Sequence, residues 1–166
     1  MSEPSKPIRA IVITVSDRCA APTADAAEDV SGKVLAGLLE ESGAEIYEKL
    51  LVTDDLEHLV EILTIHSTRA DLIMTTGGTG LSPRDNTPEA TRRVIEREAP
   101  GLAEAMRYKT LEKTPFAMLS RGVCGIRGKC LIINLPGSPA GVAECFAVIK
   151  HVLRHAIDQI KGNTGH

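Results

Sequence analysis

The stretch DLIMTTGGTGLSPRDNTPEAT, Asp71 to Thr91, decides the fold. Its apolar run Leu72-Ile73-Met74 reads as a buried strand. The chain then breaks into Gly77-Gly78-Thr79-Gly80, where missing side chains allow a sharp turn and a close backbone approach to a ligand. Arg84 and Asp85 follow, and Thr87-Pro88-Glu89 reads as a helix start, with Thr87 as N-cap and Pro88 at the first helical position. A strand, a glycine turn, a charged pair and a helix N-terminus are the parts of a phosphate site at a sheet's carboxyl edge. The glycines spell neither a Walker A loop nor the dinucleotide fingerprint. By themselves they fit a tight strand-to-helix turn equally well, and the adjacent Arg-Asp favours a functional site.

Outward from this stretch the pattern alternates. Ile8–Val15 is rich in β-branched residues and almost continuously apolar, as expected of a central strand covered on both faces, and it ends in Ser16-Asp17. Cys19–Ala27 reads as a loop able to cross the site mouth. A helix is expected over Asp29–Ser42 with Val30, Val34, Leu35, Leu38 and Leu39 inward, stopped by Gly43. Ile46–Val52 is a second strand ending in Thr53-Asp54-Asp55, Leu56–Ser67 a helix, and Asp71–Thr76 the third strand. A helix from Pro88 to about Arg97, a break at Pro100-Gly101 and a helix over Leu102–Lys113 come next. After a turn-rich link with Arg127 and Lys129, the strand Cys130–Leu135 leads through Pro136-Gly137-Ser138-Pro139 into a long last helix closed by Gly162. Strands alternating with helices predict an α/β fold with a mostly parallel sheet and helices on both faces. The domain expectation is a flexible tail over residues 1–7 and one domain over 8–162.

Composition narrows the function classes. The 166 residues carry a net charge of −3, two Phe, two Tyr and no Trp. That disfavours a general nucleic-acid or anionic-membrane binder and leaves little on which to stack bases. Cys19, Cys124, Cys130 and Cys145 match neither a zinc knuckle nor a redox pair, and reduced thiols in a cytoplasmic protein are expected. The N-terminus lacks a signal-peptide core, and no run is long enough for a membrane span.

Three strand ends finish in polar clusters: Ser16-Asp17, Asp54-Asp55, and the glycine loop with Arg84-Asp85. In a parallel sheet they share one edge, so carboxylates distant in sequence can converge on a magnesium ion held with substrate phosphates. That equipment suits phosphoryl or nucleotidyl transfer. On composition alone Asp54 reads more readily as the N-cap of the next helix. Arg121, Arg127 and Lys129 fit either a second phosphate site or a solvated basic loop. His151 and His155, four apart on the last helix, read as a solvent-facing pair, and His58 and His66 have no evident partner.

TTGGTGLSPRDNTPEAT, preceded by ITVSD and followed by PFAMLSRGVCGIRG and LIINLPGSPAGVAEC, resembles the molybdopterin adenylyltransferases of molybdenum cofactor biosynthesis, from Ile8 to Gly162. The resemblance implies a three-layer α/β/α sandwich assembled as a homotrimer. It implies Mg-ATP-dependent adenylylation of molybdopterin with release of pyrophosphate, and contact with molybdopterin-synthesising and molybdate-inserting enzymes. It places Asp54 and Asp85 as catalytic, magnesium-facing carboxylates. Ser16, Asp17, Thr76, Gly77, Gly78, Thr79, Gly80, Arg84 and Thr87 would serve the nucleotide and phosphate, and Ser120, Gly137, Ser138 and Pro139 the pterin side. Thr53 and Asn86 depart from the usual family residues. Relatives sharing this loop include non-catalytic molybdopterin-binding proteins, so a binding or scaffolding role is the alternative reading.

Overall fold

A computed structural model describes residues 6–22 and 27–163. Most of the expected tail, and residues 23–26 of the expected loop at the site mouth, lie outside them. Six strands form one sheet: β1 (Arg9–Val15), β2 (Glu45–Val52), β3 (Leu72–Thr76), β4 (Arg97–Glu98), β5 (Cys124–Arg127) and β6 (Cys130–Leu135). Their order is β2-β1-β3-β6-β5-β4, with β2, β1, β3 and β6 mutually parallel and the β5-β4 edge antiparallel. The helices are α1 (Val30–Glu41), α2 (Leu56–His66), α3 (Thr87–Val94), α4 (Pro100–Thr110) and α5 (Pro139–Lys161).

Two cores flank the sheet. Alternate residues of β1, Val12 on one face and Ile11 and Ile13 on the other, point into different clusters, as the period of a strand requires. Helices α1, α4 and α5 cover the face carrying Met74 and Ile133, with Phe146 of α5 in that core, while α2 and α3 cover the face carrying Ile73 and Ile132, with Leu63 of α2 in the other. The expected mostly parallel, three-layer α/β/α sandwich is what the chain forms.

The antiparallel edge was not foreseen. The sequence predicted helix to about Arg97, yet α3 ends at Val94 because Ile95 turns extended, with φ −71° and ψ 144°. Gly125 supplies the reason: a Cβ there would lie 2.5 Å from the Ile95 side chain, so the missing atom admits Ile95. The segment then pairs with β5 through Glu96 N–H to Ile126 O and Ala99 N–H to Cys124 O, both at 2.8 Å. The expected turn-rich link is itself β5, joined to β6 by the two-residue turn Gly128-Lys129 with Gly128 at φ +55°. On α1, Val30 is exposed instead of inward.

At the amino ends of the strands, Asp71 ties three elements together. Its carboxylate accepts the Arg9 backbone N–H at 3.0 Å and the Arg9 guanidinium at 2.8 Å, and it pairs with Lys161 at 2.9 Å. Burial pushes this carboxyl up, but the hydrogen bonds from Arg9 and Lys161 outweigh it and hold it at about 2. A depressed carboxyl contributes stability that is present above the unfolded value near 4 and is lost as pH falls towards 2. Asp71→Asn is therefore expected to cost about 2 to 3 kcal/mol in urea denaturation at pH 7, the gap from the parent closing between about pH 4 and 2.

Candidate active site

The parallel strands run outward in both directions from β1 and β3, so the strand order reverses between them. Open α/β sheets bind ligands outside the carboxyl ends at such a switch point. Here those ends are Val15-Ser16 and Thr76-Gly77.

Gly77 has φ +96° and passes so close to β1 that a Cβ would sit 2.2 Å from the Val15 carbonyl oxygen. Gly78 has φ +66°, and a Cβ there would lie 2.3 Å from Thr87 Oγ1 and 2.7 Å from Asp54 Oδ2. Thr87 is not the N-cap. Asn86 holds that position, and the buried Thr87 hydroxyl instead donates to the Gly77 carbonyl at 2.9 Å, locking the turn from beneath. The turn after β6 packs alongside, with Thr76 Oγ1 donating to Pro136 O at 2.7 Å and Gly77 N–H to Leu135 O at 3.2 Å. Ser138 caps α5 by accepting the Gly141 N–H at 3.0 Å, and Pro139 opens the helix.

The carboxylates divide the work. Asp55, not Asp54, caps α2, accepting the His58 N–H at 2.8 Å. Asp54 is thereby free to turn inward and is 5% exposed. Its Oδ1 accepts the Asn86 N–H at 2.9 Å, and among the described residues no hydrogen bond reaches its Oδ2. Burial pushes the Asp54 carboxyl up to about 6, with the charges of Asp85 and Asp17 adding to the rise against the bond from Asn86. Arg84 pairs across the cleft with Asp17, at 2.9 Å from Nε and 2.7 Å from Nη2, and not with its neighbour Asp85. The other Asp17 oxygen accepts the Asp54 N–H at 2.9 Å.

Two lobes open from this floor. One, of about 490 Å³, is lined by Ser16, Asp17, Asp54, Thr76, Gly77, Gly78, Arg84, Asp85, Gly137 and Pro139 among others. The second, of about 570 Å³, takes in Thr79, Gly80, Ser120 and Ser138 and is walled by Met106, Phe116, Ala117, Leu119 and Cys145. Gly78, Asp85 and Gly137 belong to both. A lobe that carries the Asp17 and Asp54 carboxylates and a lobe walled by Met106, Phe116 and Leu119 thus meet at one aspartate and two glycines.

All the expected site residues except Thr87, which braces from below, line this cleft. Arg127 and Lys129 do not join Arg121 in a second phosphate site. Arg127, the last residue of β5, and Lys129, in the hairpin turn, lie at the opposite end of the sheet, beside Asp71 and Lys161. His66 has partners after all, lying 3.5 Å from Glu48 and 3.4 Å from Arg69.

Sequence reasoning missed the braces. Arg121 donates to Gly80 O at 2.7 Å and to Asp85 O at 2.8 Å and pairs with Glu89, fixing the glycine loop on both sides of its tip. Asn86 Nδ2 donates to Asp54 O at 3.1 Å and Arg84 O at 3.2 Å. The Asn134 amide, buried, donates to Thr75 Oγ1 and Thr91 Oγ1 at 3.0 and 2.9 Å. A polar residue in the otherwise apolar run of β6 was the available signal for Asn134. Arg121→Ala is expected to lower stability by about 1 to 3 kcal/mol, since it strands two loop carbonyls and Glu89, as thermal unfolding would show.

Comparison with known proteins places this geometry. Residues 11–155 match the family described as a probable molybdopterin binding domain. The chain belongs to this molybdenum cofactor biosynthesis family. A Helicobacter pylori protein named molybdopterin adenylyltransferase is 39% identical over 92% of this family member and 87% of its own length. The Drosophila melanogaster molybdenum cofactor synthesis protein cinnamon is 41% identical over 90% of this chain, which spans a quarter of that protein. Among solved structures, the molybdopterin biosynthesis enzyme MoaB of Thermus thermophilus superposes with a TM-score of 0.86 at 43% identity, covering 93% of this chain and 97% of that one. The Mog protein of Mycobacterium ulcerans gives 0.86 at 44% identity, with 95% and 99% covered. Among the described residues no helix is long and apolar enough to cross a membrane.

Proposed function

We propose that this chain is a molybdopterin adenylyltransferase, using ATP to adenylylate the terminal phosphate of molybdopterin. The observation that carries the reading is the meeting of the carboxylate-bearing lobe and the second lobe at Asp85, Gly78 and Gly137. Two substrates placed in lobes that share a wall have their reacting phosphates brought together, and such positioning contributes a large part of a transfer rate. A phosphate oxygen of molybdopterin attacks the α-phosphorus of ATP. The new P–O bond forms as the bridging bond to the β-phosphate breaks, and its electron pair leaves with pyrophosphate.

The residues fit a magnesium ion. Among the described residues no cluster of three or more His, Cys, Asp or Glu forms a metal cage. Asp54, with its unbonded Oδ2, and Asp85 would instead supply two carboxylates, leaving remaining positions to phosphates and water, as magnesium prefers. When bound, the ion would neutralise charge on the transferring phosphates. The chain itself orients the phosphates on the Gly77–Gly80 backbone, holds the Arg84 cation at the mouth, and shields the second lobe behind Met106 and Phe116.

Family membership supports a homotrimer that receives molybdopterin from a synthesising enzyme and passes its product to a molybdate-inserting one. The four free cysteines, three of them buried, support a cytoplasmic location. The test is to incubate the protein with ATP, magnesium and molybdopterin and analyse the products by mass spectrometry. Adenylyl-molybdopterin is the expected product; unchanged molybdopterin under conditions where it binds would overturn the assignment.

A further inference from the structure

We infer that Asp17 holds Arg84 in reserve, and that Arg84 exchanges this carboxylate for the polyphosphate of an entering nucleotide. The inference rests on the reading of the cleft as a nucleotide site. Arg84 is an ion-paired cation of the carboxylate-bearing lobe: it bonds Asp17 and also feels the charges of Asp54 and Asp55. Left unpaired, the lobe's carboxylates would repel an incoming polyanion, whereas a guanidinium parked on one of them is already at the place where it is needed.

The surroundings separate a fixed backbone from a mobile side chain. The Arg84 main chain is tied down on both sides, its own carbonyl by Asn86 and those of Gly80 and Asp85 by Arg121. The side chain is 65% exposed, and both guanidinium bonds go to the single oxygen Asp17 Oδ2. An ion pair this exposed is worth at most roughly a factor of five in an equilibrium constant. A bidentate contact from arginine to phosphate is stronger. The guanidinium can therefore transfer without unfolding the loop. Asp17 keeps a second duty, because its Oδ1 still accepts the Asp54 N–H and holds Asp54 in place while Arg84 is away.

This exchange makes a prediction that mere proximity of charges does not. If Arg84 leaves Asp17 on binding, nucleotide affinity is reduced by the cost of breaking the pair. Removing Arg84 must then cost more when Asp17 is already neutral. Four proteins suffice: the parent, Arg84→Ala, Asp17→Asn and the double variant. Asparagine preserves the Oδ1 acceptor for Asp54, and unchanged circular dichroism checks the fold. ATP affinity is measured by calorimetry at one ionic strength, with and without magnesium.

Arg84→Ala is expected to weaken ATP binding by roughly tenfold in the parent and by a further factor of about three to five in the Asp17→Asn background. A penalty equal or smaller in that background would mean that Arg84 stays on Asp17 throughout, and would overturn the exchange while leaving the nucleotide site intact. Failure of the parent to bind ATP at all would overturn both the site reading and the exchange.

Discussion

Asp54→Asn is expected to make the protein more stable and nearly inactive. The carboxyl of Asp54 is raised to about 6 chiefly by burial. A group whose folded value lies above its unfolded value near 4 holds its proton more tightly when folded. Stability therefore falls as pH rises from about 4 to about 6, and above that window the ionised group costs about 3 kcal/mol. Asparagine removes the charge but retains an oxygen for the Asn86 N–H. The variant should gain about 2 kcal/mol over the parent at pH 8 and almost nothing at about pH 3.5, below the window. Turnover should fall by roughly a hundredfold or more, since a preorganised charge at the transferring phosphates is lost. Urea denaturation at the two pH values, with turnover at pH 8, checks both halves. A variant destabilised at pH 8 would show that Asp54 is held for structure.

Gly77→Ala is expected to cause the largest loss of stability of any single methyl group added to the chain. The new Cβ would meet the Val15 carbonyl oxygen at 2.2 Å, on a residue at φ +96°. That oxygen belongs to β1, a strand buried between two helical layers, so neither partner can yield. A left-handed residue and a clash with fixed backbone together should cost about 4 kcal/mol. Gly101→Ala is the matched control: nothing lies within 4 Å of its added carbon, and the helix there accepts alanine. Its melting temperature should equal or slightly exceed that of the parent. Equal loss in the two variants would mean that the Gly77 turn is not held against β1.

The sequence was most legible where one local rule decided the outcome. The buried, apolar strands β1, β3 and β6 announced the parallel sheet, and the polar residues at the strand ends announced one polar edge. Ser138 and Pro139 announced the last helix. It was illegible where a residue's role depended on another distant in the chain. Asp54 and Asp55 are indistinguishable locally, and only the approach of Asn86, thirty-two residues on, makes Asp54 the inward one. Arg84 sits beside Asp85 in sequence but finds its partner sixty-seven residues away. The extended turn at Ile95 depends on the missing side chain of Gly125, a packing effect that no helical period carries. Arg127 and Lys129 looked close to Arg121 because sequence distance was taken for spatial distance, and a hairpin carried them to the far end of the sheet.

Two substrates are proposed to react where the two lobes share Asp85. Pyrophosphate release from ATP and magnesium tests it most directly, measured with and without molybdopterin on the parent and on Asp85→Asn. Release should require molybdopterin, and Asp85→Asn, which keeps an oxygen to accept the Ser82 N–H, should lower it by two orders of magnitude or more. Molybdopterin and ATP both bound by the parent with no pyrophosphate released would contradict the account and make the cleft a binding site only.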